Sequence, residues 1–223
     1  MSSDQYTSSP QPAGVVDSSA YSGITLKKIH VVDLSEMYGP EQRGLVADEK
    51  IHRGEFILQR DPATSIYYEF GDERGIYTLE KFFRLIDEQQ DSDAKKYLIR
   101  YSLQYDNNHV YVPKNYLTRD IIDLWDFMNH SCESNCFQVD SDRVVALQDI
   151  EPGSLLTVDY GLYNTDDMQL IPITICRCGT PTCAGSDIFK RYKQHDWQNK
   201  FYEYCSPYVK AKIDEIRKKQ EKT

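Results

Sequence analysis

The sequence predicts a mostly β fold of the α+β class, with helices inserted between two groups of strands and further helices at the C-terminus. Segments rich in β-branched residues, in partial alternation with polar ones, occur early in the chain and again after residue 135. Between these groups, two stretches carry a capping residue followed by apolar residues at helical spacing. Both patterns together indicate a β-rich domain that carries helical additions.

The strands are expected in two groups that turn residues subdivide. The first group comprises residues 24–32, 44–51 and 55–59, with a turn at Arg53-Gly54. The second comprises residues 136–139, 143–148 and 154–158, with turns at residues 140–142 and at Pro152-Gly153.

Helices are expected between these groups and after them. Thr78 and Ser92 are the predicted N-caps of two helices, the first with an apolar stripe at Leu79, Phe82, Phe83 and Ile86. Further helices are predicted at residues 120–128, 187–204 and 208–219, with Pro207 between the last two.

Charge and composition restrict the classes of partner. The chain has 26 basic and 35 acidic residues, a net charge of −9, which disfavours direct binding of nucleic acid and favours cationic partners. No stretch approaches the ~20 apolar residues of a membrane span, and the N-terminus lacks the features of a signal peptide. We therefore expect a nuclear or cytoplasmic location and no membrane partner.

The cysteines indicate a metal site. Three of the six form the pattern C-x-C-x4-C at Cys176, Cys178 and Cys183. Structural zinc is held by four ligands in a tetrahedron, so a fourth cysteine must come from elsewhere, and Cys132 or Cys136 is the candidate. A local disulfide or unpaired thiols are the alternative, which a reducing compartment disfavours.

Two further motifs carry polar groups next to apolar segments. Residues 129–135 read Asn-His-Ser-Cys-Glu-Ser-Asn, and residues 155–161 form an apolar strand that ends in Asp159-Tyr160-Gly161. Taken alone, His130 could be a hydrogen-bonded core histidine, and Tyr160 could be a packing residue at a strand end.

In their order along the chain, these motifs resemble the SET-domain protein lysine methyltransferases that carry a post-SET cysteine segment. The resemblance rests on residues 43–47, 53–55, 129–135 and 159–161 and on the C-x-C-x4-C pattern. It implies a SET β-fold in which the Asn-His segment and the Tyr160 segment cross as a pseudoknot. It divides the chain into a mobile Ser/Pro-rich tail (1–22), a SET domain (23–165, with a helical insert at about 61–108), a post-SET zinc segment (166–186) and a C-terminal helical extension (187–223).

The resemblance also implies the roles of individual residues. S-adenosylmethionine would contact Arg43, Gly44, Asn129 and His130, and Tyr160 would be the catalytic residue. Structural zinc would be bound by Cys132, Cys176, Cys178 and Cys183, leaving Cys136 and Cys205 free.

Two positions depart from the family pattern. Gln42 replaces the first glycine of a common Gly-x-Gly motif, and Val158 stands where the family often has the Phe or Tyr that helps to set the number of methyl groups added. The expected activity is methyl transfer to a lysine of a basic protein or peptide, such as a histone tail or a non-histone substrate. The alternatives are a non-catalytic module that binds cofactor or peptide, and a SET scaffold used for a reaction on a small molecule.

Overall fold

The computed structural model describes residues 13–16, 21–69, 71–120, 122–140, 142–168 and 173–221. Its strands are β1 Ala13–Val16, β2 Tyr21–Ser22, β3 Ile24–Thr25, β4 Ile29–Asp33, β5 Arg43–Ala47, β6 Phe56–Gln59, β7 Ile76–Thr78, β8 Leu103–Gln104, β9 His109–Tyr111, β10 Ile122–Asp123, β11 Asn129–His130, β12 Cys136–Gln138, β13 Arg143–Ala146 and β14 Leu155–Val158. Its α-helices are α1 Ser35–Tyr38, α2 Leu79–Glu88, α3 Ser92–Tyr101, α4 His195–Phe201 and α5 Pro207–Gln220. Segments of 3-10 helix cover Leu124–Phe127, Tyr160–Leu162, Gly185–Lys193 and Tyr202–Tyr204.

Two sheets form the centre of the molecule. One has the strand order β1-β4-β5-β14-β11 and the other the order β12-β13-β6-β3. Their apolar residues, among them Val31, Leu45, Leu58, Val144 and Leu156, share one buried cluster. The predicted α+β class is confirmed, and no helix within the described ranges is long and apolar enough to cross a membrane.

The helical insert forms as predicted and adds a small sheet of its own. Strands β7, β9 and β8 pair next to α2 and α3. Thr78 caps α2 by accepting the backbone N–H of Lys81, as expected. The cap of α3 is Asp91 instead of the predicted Ser92, because the Asp91 carboxylate accepts the N–H of Asp93.

Part of the predicted stripe on α2 is wrong. Phe82 is buried, but Phe83 is 53% exposed. The buried cluster around Leu98 and Val110 takes in Phe82 only, and Phe83, about 100° further around the helix, lies at its exposed margin. The rings contact each other instead, with centroids 5.7 Å apart.

Of the segment predicted to be a mobile tail (1–22), residues 13–16 and 21–22 are described and form strands, and the others lie outside the described residues. Strand β1 pairs antiparallel with β4, and β2 pairs parallel with β10. Tyr21 packs edge-on against Phe127, with ring centroids 4.8 Å apart, and Ser22 is buried. The Ser-rich composition of this segment did not indicate strands, because the pairings depend on partner strands that are distant in the sequence.

The predicted helix at residues 120–128 is also wrong in type. Strand β10 is followed by the 3-10 segment Leu124–Phe127. The Asp123 side chain accepts the N–H of Trp125 and so starts this tight turn. At the C-terminus, the predicted helix at residues 187–204 is divided, because Gln194 is extended between the segment Gly185–Lys193 and α4.

The C-terminal helices belong to the folded core. Leu162, which follows Tyr160 in the chain, packs with Trp197, Phe201, Val209 and Ile213 in one buried cluster. A buried apolar face shared with the segment that follows β14 means that these helices stabilise the domain.

Replacing Trp197 tests this conclusion. Trp197→Ala removes a large buried ring and is expected to lower the free energy of unfolding by about 3–5 kcal/mol. Trp197→Phe keeps a ring but removes the N–H that Asp159 accepts, so about 1–3 kcal/mol should be lost. Urea unfolding measures both; an unchanged midpoint for Trp197→Ala would show that the helices pack independently of the core.

Candidate functional site

Parallel pairing brings the two polar motifs together. Strand β11 lies beside β14, with Asn129 opposite Thr157 and His130 opposite Val158, and the Ser131 N–H extends the ladder to the Val158 carbonyl at 3.0 Å. Tyr160 therefore follows the strand end next to His130. The expected proximity of the Asn-His and Asp-Tyr segments is found in the structure.

His130 connects the backbone of Tyr160 to a cysteine sulfur. Its Nδ1 accepts the Tyr160 N–H at 3.1 Å, and its Nε2 lies 3.3 Å from Cys132 Sγ. Asp159 Oδ1 is 3.7 Å from the same Nδ1, but the nitrogen lone pair is already used. Burial, with a contribution from Arg191, lowers the pKa of His130 to about 4. The neutral imidazole is thus a positioning group that faces the protein interior.

Tyr160 presents a protonated hydroxyl from a partly buried side chain. Its Oη donates to the Met128 carbonyl oxygen at 3.1 Å. Burial raises its pKa to about 12, and the negative charge of Asp126 adds to the shift. The hydroxyl therefore keeps its proton across the physiological pH range and can donate or accept hydrogen bonds there.

Arg43, Gly44 and Asn129 meet where β5 approaches β11. The Asn129 Nδ2 group donates to the carbonyls of Arg43 at 2.6 Å and of Phe127 at 3.3 Å, which leaves the amide oxygen as the remaining polar atom of that side chain. A Cβ on Gly44 would lie 2.6 Å from Leu34 Cδ1 and 3.4 Å from Asn129 Nδ2. A larger residue at this position would have to displace the Leu34 side chain.

The Arg43 guanidinium is the cationic group of this region. It donates to the Tyr21 hydroxyl at 2.8 Å and lies 5.8 Å from the centre of the Phe127 ring. Asp33 lies opposite Arg43 on β4, and the charge of Arg43 contributes to the lowered pKa of that carboxyl. A guanidinium in this position can also bind a carboxylate ligand.

The four predicted cysteine ligands lie together. The Sγ atoms of Cys132, Cys176, Cys178 and Cys183 all lie within 4.8 Å of one another. Cys132 and Cys176 Sγ are 3.9 Å apart, close to the ~3.8 Å edge of a tetrahedron with ~2.3 Å zinc–sulfur bonds. Cys136 is buried on β12 and contacts Asn135 instead.

Backbone N–H groups point at two of these sulfurs. The Ala184 N–H donates to Cys132 Sγ at 3.3 Å, and the Cys178 N–H donates to Cys176 Sγ at 3.4 Å. Such donors stabilise thiolates, which are the form that binds metal. The Glu133 carboxylate holds the same loop in place by accepting hydrogen bonds from the backbone N–H and the side-chain hydroxyl of Thr182.

A buried carboxylate next to Tyr160 joins the C-terminal segment to the site. Asp159 has no exposed surface and accepts bonds from Arg191 Nη1 at 2.7 Å, Trp197 Nε1 at 3.1 Å and Gly161 N at 2.9 Å. Arg191 Nη1 also donates to the Cys132 carbonyl at 3.1 Å. One guanidinium therefore positions both the strand end that carries Tyr160 and a proposed metal ligand.

Comparison with known proteins places this arrangement in a family. The family model of the SET domain matches residues 42–161, which is more than half of the chain. The protein belongs to the SET-domain family. SET domains are a methyltransferase family, so the coarse class of chemistry follows from this membership.

Other comparisons are more limited. The solved structure described as ctPRC2 in an autoinhibited conformation bound to S-adenosylmethionine is similar to the chain, with 21% identity and a TM-score of 0.37, over 60% of this chain and 15% of that chain. No curated protein matches the sequence.

The SET-domain match includes six of the nine predicted site residues. Arg43, Gly44, Asn129, His130 and Tyr160 lie within residues 42–161, as does Cys132 among the predicted metal ligands. The geometry brings Asn129, His130 and Tyr160 together and gathers the four cysteines, with Cys132 rather than Cys136 in the fourth position. Val158 is buried in the core, at the position that the family pattern associates with methyl number.

Sequence reasoning missed three contributors to this SET-domain site. Tyr21 lies in the Ser/Pro-rich segment for which no structure was expected. Arg191 and Trp197 lie after the C-x-C-x4-C motif. No motif spacing in the sequence marks Arg191 or Trp197. The signal that the sequence offers is that both lie in a predicted helical segment directly after the cysteine loop.

The donor set of the cysteine cluster fits structural zinc. We expect the purified protein to contain about one zinc per chain and Cys178→Ser to lose it, because four thiolates at tetrahedral spacing leave no spare ligand. Cys205→Ala, which changes a buried thiol outside the cluster, is the control and should keep the metal. Metal analysis by mass spectrometry measures this; equal zinc in wild type and Cys178→Ser, or none in wild type, would refute the assignment.

Proposed function

We propose that the protein transfers a methyl group from S-adenosylmethionine to a lysine side chain of a basic protein, such as a histone or non-histone substrate. The observation that carries the proposal is the protonated hydroxyl of the partly buried Tyr160, which donates to the Met128 carbonyl next to Asn129 and His130. SET-family membership supplies the class of reaction, and this arrangement supplies the residues.

The residues that would hold the cofactor fit its methionine portion. Arg43 offers a guanidinium to a carboxylate, and the Asn129 amide oxygen, next to the backbone at Gly44, can accept from an ammonium group. S-adenosylmethionine supplies, when bound, an electrophilic methyl group on a positive sulfonium. Positioning an acceptor in line with that methyl is the main catalytic task.

Tyr160 would orient the acceptor amine. Its hydroxyl and the Met128 carbonyl together form a polar edge in an otherwise buried, aromatic environment. A desolvated setting also favours the neutral amine over the ammonium ion, and only the neutral amine has the lone pair that attacks the methyl carbon.

The partner is proposed from charge. A net charge of −9 favours a target lysine flanked by basic residues, and we propose a nuclear or cytoplasmic site of action. Zinc would be structural: Cys132, Cys176, Cys178 and Cys183 would hold the loop after β14 against the strand that carries His130.

Asn129→Ala tests the cofactor site. Saturating S-adenosylmethionine should raise the melting temperature of the wild type, because the ligand binds the native state only, and the variant should lose most of this rise. His130→Ala should lose the rise too, but also about 1–3 kcal/mol of stability, since two buried hydrogen bonds disappear.

His30→Ala is the matched control, because His30 lies on β4 and pairs with Asp48 at the surface. Differential scanning fluorimetry with and without cofactor measures all three variants. A full ligand-induced rise in Asn129→Ala would remove that residue from the binding site.

Tyr160→Phe tests catalysis. The ring packing remains, so zinc content and cofactor affinity should be unchanged, whereas kcat and kcat/KM should fall together by about 10²–10³-fold. The assay is single-turnover transfer of labelled methyl groups to core histones and to peptides with one lysine flanked by arginines.

The three functional classes give different results in that assay. A binding module shows cofactor binding without turnover in the wild type. A scaffold used for small-molecule chemistry leaves every protein and peptide unlabelled while consuming a substrate of its own. Equal transfer by wild type and Tyr160→Phe would show that another tyrosine orients the amine, with Tyr111 and Tyr163 as the next candidates.

A further inference from the structure

A residue outside the SET-domain match contacts the proposed cofactor site. The match begins at residue 42, and Tyr21 precedes it in the chain. The Tyr21 hydroxyl accepts a hydrogen bond from Arg43 Nη1 at 2.8 Å. Arg43 is the group to which the proposed function assigns the carboxylate of S-adenosylmethionine. The segment before the family match therefore reaches a residue of the site itself.

Backbone pairing fixes the position of Tyr21. Strand β2 pairs parallel with β10, with Tyr21 opposite Ile122 and Ser22 opposite Asp123, and β3 pairs antiparallel with β6 directly afterwards. Ser22 is buried, and its Oγ lies 2.9 Å from Thr64 Oγ1. These contacts hold the backbone that carries the Tyr21 side chain, so the place of the hydroxyl is set by the fold.

Phe127 completes a cluster of three side chains. The centre of its ring lies 5.8 Å from the Arg43 guanidinium, and the Tyr21 ring packs edge-on against it with centroids 4.8 Å apart. Phe127 is buried at the end of the 3-10 segment that precedes the Asn-His motif. Each of the three side chains contacts the other two, so the guanidinium is held by a hydroxyl and by an aromatic face together.

The same cluster is joined to Asn129 through the backbone. The Asn129 Nδ2 group donates to the carbonyls of Arg43 at 2.6 Å and of Phe127 at 3.3 Å. An α-amino acid carries its carboxylate and its ammonium group on one carbon atom, so a site for it must present both partners at a fixed spacing. Tyr21 and Phe127 orient the guanidinium, and Asn129 is attached to the residues that carry both groups.

Asp33 is the carboxylate that could compete for Arg43. It lies opposite Arg43 on β4, and its Oδ1 accepts the Ser35 N–H at 2.7 Å at the start of α1. Hydrogen bonds from Ser35 are the main cause of the lowered pKa of Asp33, and the charge of Arg43 contributes less. The Asp33 carboxylate is thus held towards α1, whereas the groups that orient the Arg43 guanidinium are a neutral hydroxyl and a ring.

We propose that Tyr21 is a positioning residue of the cofactor site, which holds the Arg43 guanidinium in the orientation that receives the carboxylate of S-adenosylmethionine. The inference rests on the proposed methyltransferase function. It extends the cofactor site to a segment that lies before the SET-domain match.

The effect of Tyr21 on binding is one of preorganisation. An arginine side chain has several rotatable bonds, and ordering such a side chain at the moment of binding weakens the complex. A hydroxyl that orders the guanidinium in the free protein transfers this cost from binding to folding. The expected size of the effect is about 3- to 10-fold in the dissociation constant of the cofactor.

Tyr21→Phe tests the proposal, because it keeps the ring beside Phe127 and removes the acceptor of the Arg43 hydrogen bond. Isothermal titration with S-adenosylhomocysteine, which has the same carboxylate, should give a dissociation constant about 3- to 10-fold higher than in the wild type. Arg43→Ala should raise it by about 10- to 100-fold. The double variant should be no weaker than Arg43→Ala, since the hydroxyl acts only through the guanidinium; additive losses would overturn the proposal.

A ligand without the amino-acid portion separates positioning from general support of the fold. 5′-Methylthioadenosine keeps the nucleoside and the thioether but lacks the carboxylate, so Tyr21→Phe and Arg43→Ala should leave its affinity unchanged in displacement titrations. Equal losses for both ligands would identify Tyr21 as a structural residue of the domain and overturn its role at the carboxylate. Tyr202→Phe, which removes a hydroxyl that donates to Asp214 in the C-terminal helices, is the matched control and should change neither affinity.

Steady-state kinetics provide a second readout. Tyr21→Phe should raise KM for S-adenosylmethionine and leave kcat at saturating cofactor unchanged, because the carboxylate contact is the same in the ground state and the transition state. A fall in kcat with an unchanged KM would contradict a role in cofactor binding.

The outcomes separate this inference from the function on which it rests. A wild type that binds neither S-adenosylmethionine nor S-adenosylhomocysteine overturns both. A wild type that binds them and transfers methyl groups, with a Tyr21→Phe variant of equal affinity, overturns the role of Tyr21 alone and leaves the proposed function standing.

Discussion

A single buried carboxylate constrains the arrangement of the active half of this molecule. Asp159 has no contact with water, so its charge must be matched by protein donors, and the two from side chains come from Arg191 and Trp197. Removing one partner of a buried ion pair leaves an uncompensated charge, which is strongly unfavourable. The strand end that carries Tyr160 and the C-terminal helices can therefore reach their native positions only together.

This constraint explains why the folded unit extends past the family match. The SET-domain match ends at residue 161, yet Arg191 also holds the Cys132 carbonyl, and Leu162 packs in the same apolar cluster as α4 and α5. Polar matching at Asp159 and apolar packing behind it act on the same segment. The C-terminal helices thus support the segment that carries Tyr160 from the interior side.

The sequence predicted those parts of the structure that local patterns specify. Strands β5, β6 and β14 follow from β-branched runs, α2 from the Thr78 cap, and the sulfur cluster from the C-x-C-x4-C spacing. The choice between Cys132 and Cys136 depended on family resemblance, because spacing along the chain cannot show which sulfur faces the loop.

The features that the sequence did not predict are long-range pairings of ordinary residues. The order of residues 21–22 depends on β10 and on the Phe127 ring, and the burial of Asp126 depends on tyrosines from the insert. The residues that flank these positions in the sequence give no indication of which distant residues they will contact. Phe83 shows the opposite error, in which a local apolar pattern overstated burial.

His130 joins two sites that would otherwise be separate. One imidazole touches the backbone of Tyr160 on one side and the sulfur of Cys132 on the other. A change that orders the sulfur cluster is therefore felt at the backbone of Tyr160, and by thermodynamic reciprocity a change at that backbone is felt at the cluster. If zinc and the cofactor bind as proposed, the affinity for each would depend on the presence of the other.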